Sequence, residues 1–147
     1  MTLEREIMSS QAADVVTKFI SLVGGPTPDE MAACWDDHNA VLEVPYAPPP
    51  WPTKIEGKEN VVNYMGGVHT VISGWSMGID TLYDAGGGTI IVEMHGSGTV
   101  VATGKHYAQN YIAVMKVNEK GKLELWREYS NPLPVFEAFG DSETIDA

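Results

Sequence analysis

At Trp75 the apolar residues of this chain change their spacing, and that change limits the fold more than any other feature. Upstream, Val15, Val16, Phe19, Ile20 and Val23 recur at helical intervals, with Ser9 or Ser10 as a candidate cap and Gly24-Gly25 as the stop. Downstream, Trp75, Met77, Ile79, Thr81 and Tyr83 recur at every second position, as one face of a strand does. Asp84–Gly88 reads as a turn, and long segments over Thr89–Val101, Tyr107–Val117 and Lys122–Ser130 follow. Thr103-Gly104-Lys105 and Asn118-Glu119-Lys120-Gly121 break them as hairpin turns. Helices first and hairpin-linked strands afterwards predict an α+β fold, with three N-terminal helices packed on a strongly curved antiparallel sheet.

The second helix has its own start signal. Thr27-Pro28-Asp29-Glu30 offers a capping threonine, a proline at the first helical position and a glutamate at the capping-box position. It should end near Trp35, before a strand over Val41–Tyr46 that runs into the stiff, proline-dense segment Ala47–Pro52, whose aromatic residue Trp51 suits the rim of an opening. The third helix should begin near Gly57 and carry Val61, Met65, Val68 and Ile72 as its stripe, with Gly66-Gly67 inside it. No linker or repeat divides residues 1–147, which read as one domain.

A net charge of −11 disfavours binding to a phosphate backbone or an anionic membrane, both of which need Lys and Arg. One cysteine, Cys34, excludes an internal disulfide and suits a small core position. The opening residues show no positive region followed by an apolar run, and the longest apolar runs are strand-sized. A cytoplasmic protein is the expectation.

Few motifs carry chemistry. Gly86-Gly87-Gly88 precedes a strand, whereas phosphate cradles precede a helix, so a hairpin is the better reading. Gly96-Ser97-Gly98 suggests a bulge or a close backbone approach rather than a nucleophile elbow. Glu93 and His95 share a strand face, and His106 lies nearby, but no further spacing supports a metal. Tyr64 and His69 flank the stripe of the third helix, either as boundary residues with wet tips or as the rim of a pocket beneath it. Glu128 is the most informative position. In Leu123–Ser130, Trp126 and Glu128 share one face while Leu125, Arg127 and Tyr129 share the other. If the even face meets the core, Glu128 is a carboxylate beside an indole, where acid/base groups are tuned; if the odd face does, it is a solvated charge.

The order of elements and several strings resemble the SnoaL-like branch of the nuclear-transport-factor-2-like superfamily. Those strings are Val15–Trp35, Val41-Leu42-Glu43-Val44-Pro45, Glu56–Asn60, Val92-Glu93-Met94 and Gln109–Tyr129 running into Ser130-Asn131. The resemblance implies a cone-shaped pocket, with fold leaving the reaction open. The polar positions of ketosteroid isomerase correspond here to Val44, Phe19 and Ala113, so that machinery is excluded. The phenazine-biosynthesis A/B proteins resemble the chain more closely. Their pocket glutamate corresponds to Glu128, and their pocket histidine to Tyr64. The same correspondence turns Leu42, Val44, Tyr46, Gln109, Tyr111, Ala113, Met115, Trp126 and Glu128 inward, and Glu93 and His95 outward.

What this implies is cofactor-independent acid/base chemistry on a hydrophobic biosynthetic intermediate: isomerisation, cyclisation, dehydration or condensation. Glu128 would be catalytic, with Tyr46, Tyr64, His69, Gln109, Tyr111, Met115 and Trp126 binding the substrate and no metal or cofactor required. The alternatives are a binding protein without chemistry and an interaction subunit that uses the convex sheet face. An apolar convex face carrying Ile91 and Val101 predicts a symmetric homodimer.

Overall fold

The computed structural model describes residues 2–25 and 27–140, with side chains from residue 11 onward. Helix α1 spans Thr2–Leu22, so Ser9 and Ser10 lie inside it rather than capping it. Ala12, Val16, Phe19, Ile20 and Val23 are buried along one side of α1 and pack on the sheet. Helix α2, Pro28–Ala33, starts where the proline signal placed it, but no side-chain capping bond forms. The backbone explains this: Thr27 has φ −129° and ψ 62°, and its hydroxyl is buried without a partner among the described residues.

The sheet has six strands in the order β2-β1-β6-β5-β4-β3, namely β1 Val41–Glu43, β2 Lys54–Glu56, β3 Ile72–Gly86, β4 Thr89–Val100, β5 His106–Val117 and β6 Leu123–Ser130. The hairpins β3–β4–β5–β6 are antiparallel as expected, whereas β1 lies parallel to β6, making the sheet mixed. Periodicity tells which face a residue takes, not which way its neighbour runs. Strand β1 stops at Glu43 and does not reach Tyr46, because Pro45 has no N–H to donate to a ladder. The short β2 was not foreseen.

Alternation sorts β4 and β5 cleanly. Ile90, Val92 and Met94 face the helices with Ala113, Met115 and Val117, while His95 is exposed on the outer face, its Nδ1 2.8 Å from Asp80 Oδ1, which accepts the ring N–H. Glu93 is outward too, with the Tyr83 hydroxyl donating to it at 3.4 Å. Cys34 is buried in the core. Phe19 sits at its centre, edge-on to Trp35 at 5.5 Å and to Trp126 at 5.6 Å.

Curvature comes from β3, whose pairing slips between Ser73 and Ser76, between Ile79 and Thr81, and between Asp84 and Gly86. The Gly96-Ser97-Gly98 segment keeps a regular register with β5, so it is the close approach and not a bulge. A Cβ at Gly96 would run into the ring of Trp75. Trp75 thus lies across β4 only because that strand carries glycine there. The Gly86–Gly88 hairpin forms with positive φ at all three residues.

Helix α3, Lys58–Gly66, ends at the glycine pair, and a short α4, Val68–Val71, follows. The expected single third helix is therefore two, and Ile72 opens β3 instead of extending the stripe. A final helix α5, Leu133–Phe139, was not anticipated; Val135 and Ala138 bury its inner side.

Candidate active site

The helices and the concave side of the sheet leave a cavity of about 440 Å³ that opens to solvent. Its walls are mostly apolar: Leu42 and Val44 from the β1 segment, Met65 and Val68 from the helices, and Trp75, Met77 and Trp126 from the sheet. Phe139 and Val135 of α5 close one end, where Trp51 meets Phe139 edge-on at 5.1 Å and Tyr107 meets it at 5.7 Å. Lining residues at the described positions include Glu128 but no Lys, Arg or His.

Glu128 enters the cavity because the even face of β6 is the inward one there. It pairs in register with Ala113, one step along from Trp126 opposite Met115. The indole N–H of Trp126 donates to Glu128 Oε1 at 2.8 Å. Burial pushes the Glu128 carboxyl up to about 7, opposed by that one hydrogen bond, which favours the charged form. Arg127 points the other way and binds Glu43 at 2.7 Å, so its charge is spent on the outer face. Asp36, also buried, is held low by the N–H groups of His38 and Asn39 and by Asn118, in a turn remote from the cavity.

Tyr64, Tyr107 and Tyr111 line the same cavity as the carboxylate. Tyr64 of α3 stands at the opening, 36% exposed, and is pushed up to about 12 by desolvation first and the Glu128 charge second. Tyr111 is raised well above the ordinary tyrosine value and Tyr107 is raised, both chiefly by burial. The Tyr107 and Tyr111 hydroxyls are 3.3 Å apart, and Gln109 Nε2 donates to Tyr107 at 3.2 Å. This assembly holds one carboxyl poised to take or give a proton near neutral pH, with neutral phenols beside it.

Of the residues singled out from sequence, Glu128, Tyr64, Tyr111 and Trp126 meet on the cavity wall. Tyr46 does not: it is 64% exposed in the turn after β1 and packs on Tyr129 at 5.7 Å. Met115 is fully buried in the core, not on the wall. His69 lies on α4 but off the wall, with Nδ1 buried and without a partner among the described residues. Gln109 sits behind the wall, buried, holding Tyr107 and the Asn131 carbonyl. Sequence reasoning missed Tyr107, although it shares the parity of Gln109 and Tyr111. It also missed Phe139, whose segment gave no periodic signal, whereas Trp51 lines the cavity, as expected of an aromatic residue in the proline-dense segment.

The Trp126 bond yields a prediction. Trp126→Phe keeps an aromatic ring but removes the hydrogen bond that, among the described residues, lowers Glu128's pKa. The carboxyl midpoint, followed by carbon NMR of labelled glutamate, should move above about 7. An unchanged midpoint would show that the indole does not hold the charge.

Comparison with known proteins agrees with this architecture. Residues 16–126 match the SnoaL-like domain. The uncharacterised protein YesE of Bacillus subtilis is 36% identical over 133 residues, 90% of this chain and 89% of that protein. An uncharacterised PhzA/B-like protein of Pseudomonas aeruginosa is 35% identical over 103 residues, 70% of this chain and 72% of its own. A crystal structure of a Bacillus subtilis protein provisionally described as an isomerase superposes with a TM-score of 0.78 at 34% identity, covering 89% of this chain and 94% of that one. The chain belongs to the SnoaL-like family, whose solved relatives share the NTF2-like, ketosteroid-isomerase-like fold.

Proposed function

We propose that this protein binds a hydrophobic small molecule in the cavity and converts it by acid/base chemistry, with Glu128 moving the proton. The observation that carries this reading is a carboxyl pushed up to about 7 by burial on a mostly apolar wall. A structural carboxylate gains nothing from such a place, because desolvation makes it costly to ionise. Tyr64 and Tyr111 would hold polar atoms of the ligand, while Trp75 and Trp126 supply flat apolar surface. Isomerisation, cyclisation, dehydration and condensation all need this one proton relay. The description of a relative as an isomerase supports the same class.

The test is a ligand screen by native mass spectrometry, with each bound compound then incubated with the protein. Conversion of a retained neutral compound is the expected result. Retention of compounds without any conversion would make the protein a carrier, and no retention at all would move the function to the outer face.

That outer face supports a second copy as partner. Tyr83 pairs with Ile91 and Ile91 with Val114, while Ile112 lies opposite Tyr129, so apolar residues adjoin across four strands. Tyr83 and Ile112 are 48% and 41% exposed. Val101, expected in this patch, instead lies in the turn after β4. A symmetric dimer would cover the patch. Sedimentation at micromolar concentration should give twice the chain mass, and Ile112→Glu should halve it; a wild-type monomer would refute the dimer.

A further inference from the structure

Gln109, Tyr107 and Tyr111 form a chain of hydrogen bonds whose direction is fixed by one atom. Gln109 Nε2 lies 2.7 Å from the Asn131 carbonyl oxygen, which can only accept. The amide nitrogen must therefore face that carbonyl, and Gln109 Oε1 accordingly accepts the Asn110 N–H at 3.2 Å. The second amide proton goes to the Tyr107 oxygen at 3.2 Å. Tyr107 is 5% exposed, so its own proton needs a partner inside the protein. The Tyr111 oxygen at 3.3 Å supplies it. Tyr111, on the cavity wall, is then left with its proton free for whatever the cavity holds.

We propose that Gln109 and Tyr107 are positioning residues that aim the Tyr111 hydroxyl as a hydrogen-bond donor at an uncharged acceptor oxygen of the ligand, beside Glu128. The proposal rests on the reading of the cavity as a substrate site. It adds the ligand class: a neutral compound with a carbonyl or comparable oxygen, since an anion would meet Glu128 with no Lys, Arg or His among the described lining residues to balance it. Accepting from Tyr107 while donating onward also strengthens the Tyr111 donor, because hydrogen bonds in a chain polarise one another. Gln109 touches no ligand, yet it decides which way the protons run.

Gln109→Glu reverses the chain without changing its shape. A glutamic acid has at most one proton at that position, and the Asn131 carbonyl takes it. Tyr107 must then donate to residue 109 and accept from Tyr111, so the cavity loses its donor. Tyr107→Phe added to Gln109→Glu removes the competing acceptor and returns the Tyr111 proton to the cavity.

Acetophenone is the probe, and the infrared frequency of its carbonyl is the readout, at a pH of about 9 so that Glu128, with a pKa of about 7, is ionised and cannot donate. In the wild type the bound carbonyl should absorb below its frequency in hexane. Tyr111→Phe and Gln109→Glu should each restore the hexane value and weaken binding about 3- to 10-fold, the usual worth of one hydrogen bond. The double variant Gln109→Glu/Tyr107→Phe should recover the low frequency. A packing role for Gln109 predicts instead that the single change leaves the frequency alone and the double change weakens binding further, which overturns the proposal. A wild-type carbonyl at the hexane value, or acetophenone that does not bind, overturns it as well. The acid/base reading fails separately, if Glu128 titrates as an ordinary carboxyl while this frequency pattern holds.

Discussion

Glu128→Gln should stabilise the fold at pH 8 and leave it unchanged at pH 4. The sign follows from proton binding. Glu128 titrates at about 7 in the native state against 4.5 for a free side chain, so between those values the native state holds more protons than the unfolded chain. Stability then falls as pH rises through that window and stays low above it. The gap corresponds to roughly 3 kcal/mol at 1.4 kcal/mol per pH unit. Glutamine carries no charge to desolvate and can still accept the Trp126 N–H. Asp36 and Glu43, whose pKa values are lowered, act at more acid pH and in the opposite direction, and they are common to both proteins. Urea unfolding of both proteins at pH 4, 6 and 8 should therefore give a difference that grows with pH. A difference that is flat across pH would mean that the native carboxylate is hydrated.

The same carboxylate shows how far the sequence could be read. Parity puts Trp126 and Glu128 on one face of β6 without saying which face is inner. Leu123 and Leu125 point the reader to the odd face, and that is misleading. The β5–β6 ladder slips between Lys116 and Val117, pairing Val117 with Leu123 but Lys116 with Leu125. Glu124 is the extra residue, so Leu123 and Trp126, an odd and an even position, are both fully buried. A bulge of this kind depends on the Asn118 turn, where Asn118 ties Asp36 to Glu124, and no single-strand pattern encodes it. The family resemblance chose the right face where periodicity could not.

Elsewhere the pattern succeeded where one residue type had one outcome. Strands β4 and β5 alternate, so periodicity told which residues share a face, and the resemblance told that Ala113 and Met115 turn inward and Glu93 and His95 outward. Tyr46 failed because the alternation was extended through Pro45, which cannot join a ladder. Helix α5 went unread because the segment after Asn131 shows no helical stripe, although Pro132 and Pro134 suit the first turn of a helix. That omission removed Phe139 and Val135 from the expected wall, and with them one end of the cavity.

The largest effect expected of any single change is on turnover. For the compound that screening shows to be converted, Glu128→Gln should lower the rate at saturation by about 10²–10⁴-fold, the usual contribution of a positioned acid or base. Binding should change far less, because glutamine fills the same space beside Trp126 and keeps an oxygen for its N–H. The wild-type rate should also depend on pH with a midpoint near 7, the point at which Glu128 changes its charge. In the variant that inflection should vanish along with the rate. The two readouts together separate proton transfer from anchoring. An anchor would lose affinity and keep its turnover at saturation, with no inflection tied to residue 128. A carboxylate that transfers the proton must lose both the rate and the inflection, since glutamine offers no titratable proton in any state.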